Sequence, residues 1–148
     1  MNNSGKSWQS LIRHELNNAI NTIIGYSSLL LDDFQYEQEE DLTWIVAEIE
    51  QIKAYGEQLS CQVKMTLPYN GAEIECNPKI ILETRITLAF ALFSSVYAIQ
   101  RIASQVSEGI PPDFVADLQK IASSAQRIVN LINNLSLFLE SEILSLKV

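Results

Sequence analysis

Residues 11–26 read Leu11-Ile12-Arg13-His14-Glu15-Leu16-Asn17-Asn18-Ala19-Ile20-Asn21-Thr22-Ile23-Ile24-Gly25-Tyr26 and contain the only histidine of the chain. Apolar side chains recur here at spacings of three and four, which predicts an amphipathic helix from about Gln9 to Asp33. The apolar stripe consists of Ile12, Leu16, Ile20, Ile23, Tyr26 and Leu30. The opposite side, called the His14 face below, consists of His14, Asn17, Asn18, Asn21, Gly25 and Ser28. The histidine is therefore expected to point to solvent, where it can react with another molecule.

Three further helices are predicted downstream. The second carries a heptad seam of Leu42, Ile45, Ile49, Ile52, Gly56, Leu59 and Val63. It follows an acidic connection over residues 34–40 and ends at the turn-forming Pro68-Tyr69-Asn70-Gly71. The third begins at Asn77-Pro78, an N-cap followed by proline, and runs to about Ser107. The fourth follows the break at residues 109–113 and runs to about Leu144.

The two halves of the chain repeat each other at the offset of 76 residues that separates Leu42 from Leu118. The second-helix seam matches Leu118, Ile121, Ala125, Ile128, Ile132, Leu135 and Leu139. The first helix, extended to Phe34, matches Leu88, Leu92, Val96, Ile99, Ile102, Val106 and Ile110. Neither helical hairpin can bury its apolar stripe alone, so the pattern predicts an all-α, antiparallel four-helix bundle of two repeated hairpins. The alternative is that any two heptad hairpins would align in this way.

This pattern predicts a flexible leader over residues 1–8 and one domain over residues 9–148. The first hairpin covers about 9–67, and the second, degenerate hairpin covers about 78–145. Residues 1–6 lack the apolar segment of a signal peptide, and the longest uncharged run, between Arg85 and Arg101, is shorter than the roughly 20 residues of a membrane span. We therefore expect a cytoplasmic protein with no membrane segment.

Composition narrows the classes of partner and of site. The net charge of −8 argues against binding to nucleic acid, which needs a basic surface. Cys61 and Cys76 have no metal-binding spacing and are expected to be reduced. A cluster of acidic residues is interpreted as part of a solvated loop rather than as a metal site. The cluster consists of Asp32, Asp33, Glu37, Glu39, Glu40 and Asp41.

The second hairpin differs from the first where the histidine lies. At the repeat offset, the positions of His14, Asn17, Asn18, Asn21 and Gly25 are taken by Phe90, Phe93, Ser94, Tyr97 and Arg101. If the three aromatic rings point outward, they form an apolar patch of the kind that binds a partner. If the third helix is instead rotated, the same rings belong to the core. The pattern leaves both alternatives open.

The first hairpin resembles the phosphoacceptor domain of sensor histidine kinases, also called the dimerisation and histidine-phosphotransfer domain. The resemblance is carried by His14-Glu15-Leu16, followed by Ile20, Ile23, Gly25-Tyr26 and Leu29-Leu30, and by the Asp41-Leu42 start of the second helix. In the family a basic residue, a threonine or asparagine, and a proline follow the motif. Here those positions hold Asn17, Asn18 and Ala19, so only the amide is kept. Nothing downstream resembles the ATP-binding domain, so a complete histidine kinase is not expected.

The resemblance implies that His14 is a phosphoacceptor and that Asn18 orients a water for dephosphorylation. An uncharged imidazole nitrogen is a competent nucleophile for a phosphoryl group near neutral pH. Glu15 is a candidate acid/base group beside it. Asn17, Asn21 and Gly25 are then a docking surface on the same helix. Alternatively, Glu15 and Asn18 are ordinary surface side chains.

The leading functional hypothesis is a histidine phosphotransfer module of a two-component phosphorelay. His14 would exchange a phosphoryl group with a receiver-domain aspartate or accept one from a separate kinase catalytic domain. No cofactor is expected on this chain, and Mg²⁺ is expected in the receiver domain. The alternative is a non-catalytic bundle that docks on a kinase or response regulator through Phe90, Phe93 and Tyr97. Both monomer and homodimer fit the pattern.

Overall fold

A computed structural model of the chain describes residues 7–35, 42–67 and 76–147, with side chains to residue 142. Within these residues the chain is all-helical, as predicted, with five α-helices and no strand. The helices are α1 (Trp8–Phe34), α2 (Thr43–Thr66), α3 (Pro78–Ser107), α4 (Val115–Asn133) and α5 (Leu135–Lys147). A short 3-10 helix, Pro112–Phe114, precedes α4. Most of the predicted leader, the acidic connection and the Pro68–Gly71 turn lie outside the described residues.

The N-termini of α1 and α3 carry side-chain caps. Ser7 Oγ accepts a hydrogen bond from the Ser10 backbone N–H at 3.1 Å. Asn77 Oδ1 accepts one from the Ile80 N–H at 2.9 Å, and Pro78 occupies the first turn. A cap of this kind satisfies a backbone donor that has no partner within the helix. The predicted start and end of the third helix, Asn77-Pro78 and Ser107, are confirmed.

The predicted seams form the core. All seven positions of the second-helix seam are buried, six on α2 and Leu42 directly before it. The seven matching positions, six on α3 and Ile110 after it, are buried as well, and so are the seven on α4 and α5. On α1, Tyr26 of the predicted apolar stripe is partly buried and packs against the core, and its neighbour Ser27 is fully buried. Ser27 can occupy the core because its hydroxyl donates to the backbone carbonyl of Ile23 at 2.8 Å, which satisfies the polar group.

The predicted fourth helix is interrupted at Asn134, which has φ −117° and ψ 34°. The backbone N–H of Asn134 and its side-chain Nδ2 both lie within hydrogen-bonding distance of the Asn130 carbonyl oxygen, at 3.0 and 2.9 Å. Asparagine side chains compete with backbone groups for such bonds, which makes them poor residues for a helix interior. The seam nevertheless continues into α5, where Leu135 and Leu139 are buried.

The long helices have a bundle-like arrangement in which α1 and α3 each pack against both α2 and α4. The C-terminal end of α1 lies near the start of α4, where the Phe34 and Phe114 rings are 4.7 Å apart. Helices α1 and α2 approach closely at Gly56, where an added Cβ would lie 2.9 Å from Ile24 Cγ1. This arrangement leaves one side of α1 and one side of α3 facing solvent in different directions.

Helix α3 is the one helix of the described residues that is long and apolar enough to cross a membrane. In its most apolar window, 44% is buried inside the protein. Since the core helix of a soluble protein has the same length and composition, this is weak evidence for a membrane span.

Candidate functional site

His14 lies in the second turn of α1 with its side chain exposed to solvent. Its ring forms no hydrogen bond or ion pair with the described residues. On the same face Asn18, Asn21 and Gly25 are exposed, while Asn17 is partly buried. The structure therefore brings the predicted site residues of α1 onto one open, polar side of one helix.

The segment of α1 that carries His14 is packed against the core and hydrogen-bonded to the end of α2. Ile12 and Leu16, on the core side of the helix, are fully buried. Arg13, directly before the histidine, is also buried, and its Nη1 donates a hydrogen bond to the Leu67 carbonyl oxygen at 3.2 Å. This bond ties the start of α1 to the end of α2. An exposed ring on a helix fixed in this way is presented to a partner with little loss of backbone entropy on binding.

Glu15 forms an ion pair with Arg127 of α4, in which Arg127 Nη2 donates to Glu15 Oε1. The two side chains are 26% and 56% exposed, respectively, so solvent screens the pair. The guanidinium thereby holds the carboxylate at the side of α1 that faces α4. Glu15 thus has a partner other than the imidazole, and the site gains a cation that the sequence interpretation did not include.

Two further details describe the His14 face. The Asn18 backbone carbonyl accepts a hydrogen bond from Thr22 Oγ1 at 2.9 Å, while the Asn18 side chain extends into solvent. At Gly25 an added Cβ would find no atom within 4 Å. The glycine is therefore not required by the packing of the chain itself, and the surface above it is open.

The aromatic residues of α3, whose direction the sequence left open, differ in exposure. Phe90 is 92% exposed and Tyr97 is half exposed. Phe93 is partly buried against the core, and its ring lies 5.4 Å from that of Tyr97. Two more exposed apolar residues, Leu82 and Ile86, extend the row toward the start of the helix. These five residues are called the α3 stripe below.

The two cysteines are free thiols in different surroundings. Cys61 on α2 is exposed, whereas Cys76, just before α3, is partly buried against the core. Burial raises the pKa of the Cys76 thiol above its ordinary value. In the described part of the chain, no three His, Cys, Asp or Glu residues are grouped in a way that could hold a metal ion.

Sequence reasoning missed Arg127 because its partner is 112 residues away along the chain. The predicted repeat offers a signal in hindsight: at the offset of 76 residues, Arg127 of α4 corresponds to Gln51 of α2, so the two helices differ in charge at this position. No family model matches the chain, and no similar protein is found among the curated proteins or the solved structures.

Proposed function

We propose that the chain is a four-helix bundle of two repeated hairpins that acts as a cytoplasmic histidine phosphotransfer module. The observation that carries this function is the placement of His14. It is the single histidine of the chain, it is solvent-exposed with no partner among the described residues, and it projects from a firmly packed helix beside a row of small polar residues. A nucleophile that serves a macromolecular partner needs this combination of an accessible ring and a fixed backbone.

The chemical step is the transfer of a phosphoryl group from a receiver-domain aspartyl phosphate. An uncharged ring nitrogen of His14 attacks phosphorus, the new N–P bond forms, and the P–O bond to the aspartate breaks with its electron pair leaving on the carboxylate. The reverse step returns the phosphoryl group to an aspartate. The receiver domain supplies the Mg²⁺ that neutralises the phosphoryl oxygens.

Glu15 and Arg127 are positioning residues in this proposal. The Arg127 guanidinium binds the Glu15 carboxylate, which gives this carboxylate a fixed partner on α4. The cation also reduces the local negative charge on a protein with a net charge of −8, which would otherwise repel a phosphorylated partner. Asn18 is the candidate for orienting a water toward phosphohistidine.

The docking surface for the receiver domain is the remainder of the His14 face. Asn21 and Gly25 are exposed one below the other along α1, and the absence of a side chain at Gly25 lets another backbone approach. A large side chain at position 25 would therefore block docking without disturbing the core.

The second candidate function is a non-catalytic module that binds a kinase or a response regulator through the α3 stripe. The exposure of Phe90 favours a binding role for this surface, because a large aromatic residue in water is costly without a partner. The two candidates use different helices and are separable by substitution.

The decisive test incubates the chain with receiver domains that carry a radiolabelled aspartyl phosphate. Acid-labile, alkali-stable label is expected on the wild-type chain, and none on His14→Gln. Gly25→Arg should fold normally and lose most of the label, whereas Phe90→Ser should keep it. Label that persists on His14→Gln, or that never appears on wild type with any receiver domain of the source organism, contradicts the assignment.

A further inference from the structure

The α3 stripe is flanked on one side by a pair of opposite charges. Glu83 and Arg101 are both exposed and are 18 residues apart, which is five turns at 3.6 residues per turn, so they lie on the same side of the helix. Neither forms an ion pair within the described part of the chain. Between them the stripe presents Ile86, Phe90 and Tyr97 to solvent.

This arrangement is complementary to itself when two copies of α3 are placed antiparallel. Glu83 and Arg101 are equidistant from residue 92, nine positions to either side. The two-fold axis lies midway between the two helices, level with residue 92 and perpendicular to the plane that contains both. Rotation about this axis keeps the charged side of each helix on the same side of that plane. It brings Glu83 of one copy next to Arg101 of the other, twice in the same interface.

The apolar residues fall into the same register. Ile86 and Tyr97 lie six and five positions from residue 92, so they would meet across the axis. Phe90 and Phe93 lie two positions and one position away, and would fill the centre. Aromatic residues at the centre, with charges confined to the rim, are the usual arrangement of a protein interface.

The area is adequate for a reversible dimer. Since a buried aromatic side chain covers roughly 150–250 Å², the exposed parts of Leu82, Ile86, Phe90 and Tyr97 amount to roughly 500 Å² per copy. Two copies would then bury roughly 1,000 Å², which is below the roughly 1,200–2,000 Å² of stable interfaces and within the size of weak, transient ones. Obligate dimers bury considerably more, so an interface of this size fits a reversible dimer.

We propose that the α3 stripe binds the α3 stripe of a second copy, antiparallel about residue 92, with Glu83 of each copy paired with Arg101 of the other. Because α1 and α3 each pack against both α2 and α4, the His14 face lies away from this interface and stays open in the dimer. The homodimer is thus independent of the phosphotransfer proposed above, and either holds without the other.

Sedimentation equilibrium of the full chain over roughly 1–500 µM is the test, since this range brackets a micromolar Kd. Wild type is expected to pass from monomer to dimer. Phe90→Asp removes the central apolar contact and should weaken the dimer at least tenfold. Its matched control is Leu29→Asp, which alters an exposed apolar residue of α1 and should leave the dimer unchanged.

Charge reversal tests the register. Glu83→Arg or Arg101→Glu places like charges against each other twice and should weaken the dimer roughly tenfold at low salt. The double variant Glu83→Arg/Arg101→Glu restores both pairs and should recover wild-type affinity to within about threefold. All these positions are exposed, so circular dichroism should show an unchanged helical content.

A chain that stays monomeric throughout this range overturns the proposal, and the stripe then has an occupant other than a second copy. A dimer that is insensitive to Phe90→Asp shows that another surface is used. A dimer that weakens with Phe90→Asp but is not restored by the double reversal contradicts the antiparallel register.

Discussion

The two sequence neighbours of the exposed His14 both contact other parts of the chain: Arg13 is buried, and Glu15 forms an ion pair. The outward direction of His14 follows from the local spacing of apolar residues, so the sequence alone predicted it. The environments of Arg13 and Glu15 did not follow, because each depends on a residue of another helix: the Leu67 carbonyl oxygen for Arg13 and the Arg127 guanidinium for Glu15. The spacing of apolar residues along the sequence shows which side of a helix is polar, but not which residue of another helix each polar side chain contacts.

Arg13 is expected to contribute more to stability than a helix-surface arginine normally does. Arg13→Met keeps an apolar stem in the buried position and removes the hydrogen bond to Leu67, leaving a carbonyl oxygen to be resolvated. We expect a loss of about 1.5–3 kcal/mol in the free energy of unfolding, measured by urea denaturation. The matched variant Arg85→Met, at an exposed position of α3, should change stability by no more than about 0.5 kcal/mol. Equal effects of the two substitutions would contradict the anchoring role of Arg13.

The two cysteines should react at different rates. Thiolate is the reactive form, and burial raises the pKa of Cys76, so a smaller fraction of Cys76 is ionised at a given pH. Iodoacetamide at neutral pH should therefore label the exposed Cys61 first, as read by peptide mass spectrometry. Because ionising the Cys76 thiol costs more in the folded chain than in the unfolded chain, stability should fall slightly as the pH rises from the ordinary thiol pKa to the raised pKa of the folded chain. Faster labelling of Cys76 than of Cys61 would show that its surroundings are not as described.

At the scale of helices, the sequence predicted the elements that have strong local signals. The Asn77-Pro78 start of α3 is a cap whose chemistry is visible in the residue types, and the seam positions repeat regularly enough to identify the buried side. The separation of α4 and α5 was not predicted, because Asn134 lies within an uninterrupted apolar pattern. Whether an asparagine there extends the helix or bonds to its own backbone is decided by small energy differences that a pattern does not record.

Two glycines within helices should respond to alanine in opposite ways. Replacing a helical glycine with alanine gains about 0.8–1.0 kcal/mol from helix propensity alone. Gly25→Ala should show most of this gain, because the added Cβ meets nothing within 4 Å. Gly56→Ala should instead be destabilising, because its Cβ would lie 2.9 Å from Ile24 Cγ1 where α1 and α2 meet. Thermal unfolding of both variants under identical conditions provides the comparison, and a stabilised Gly56→Ala would contradict the close approach of these helices.

At the scale of the whole chain, the arrangement of α1 and α3 around α2 and α4 separates two surfaces of different chemistry. One is polar and carries the histidine, and the other is apolar and carries Phe90. The repeat inferred from the sequence predicts such a placement, because two like hairpins would give the two helices equivalent positions. The sequence left open whether the aromatic rings of α3 face solvent, because a helix rotated by a fraction of a turn would bury them in the core.

If two hairpins share one core, neither should fold alone as a monomer. Fragments 1–75 and 76–148 each lose the apolar surface that covers their seam, and buried leucine or isoleucine side chains contribute about 1.5–3 kcal/mol each. We expect each fragment to be largely unfolded or self-associated by circular dichroism and sedimentation, and an equimolar mixture to recover the helical content of the intact chain. Fully helical, monomeric fragments would contradict the shared core.

The central claim is that His14 passes a phosphoryl group to or from an aspartate of a partner. Phosphoramidate offers a direct measurement, since it phosphorylates accessible histidines without a kinase and this chain has one histidine. Phosphorus NMR of the phosphorylated chain, mixed with each receiver domain of the source organism and Mg²⁺, follows the phosphohistidine signal over time. We predict that one receiver domain removes the phosphohistidine signal far faster than spontaneous hydrolysis and itself gains the phosphoryl group. The same receiver domain should not remove the signal from the Gly25→Arg variant. A phosphohistidine signal that decays at the hydrolysis rate with every receiver domain would contradict the claim.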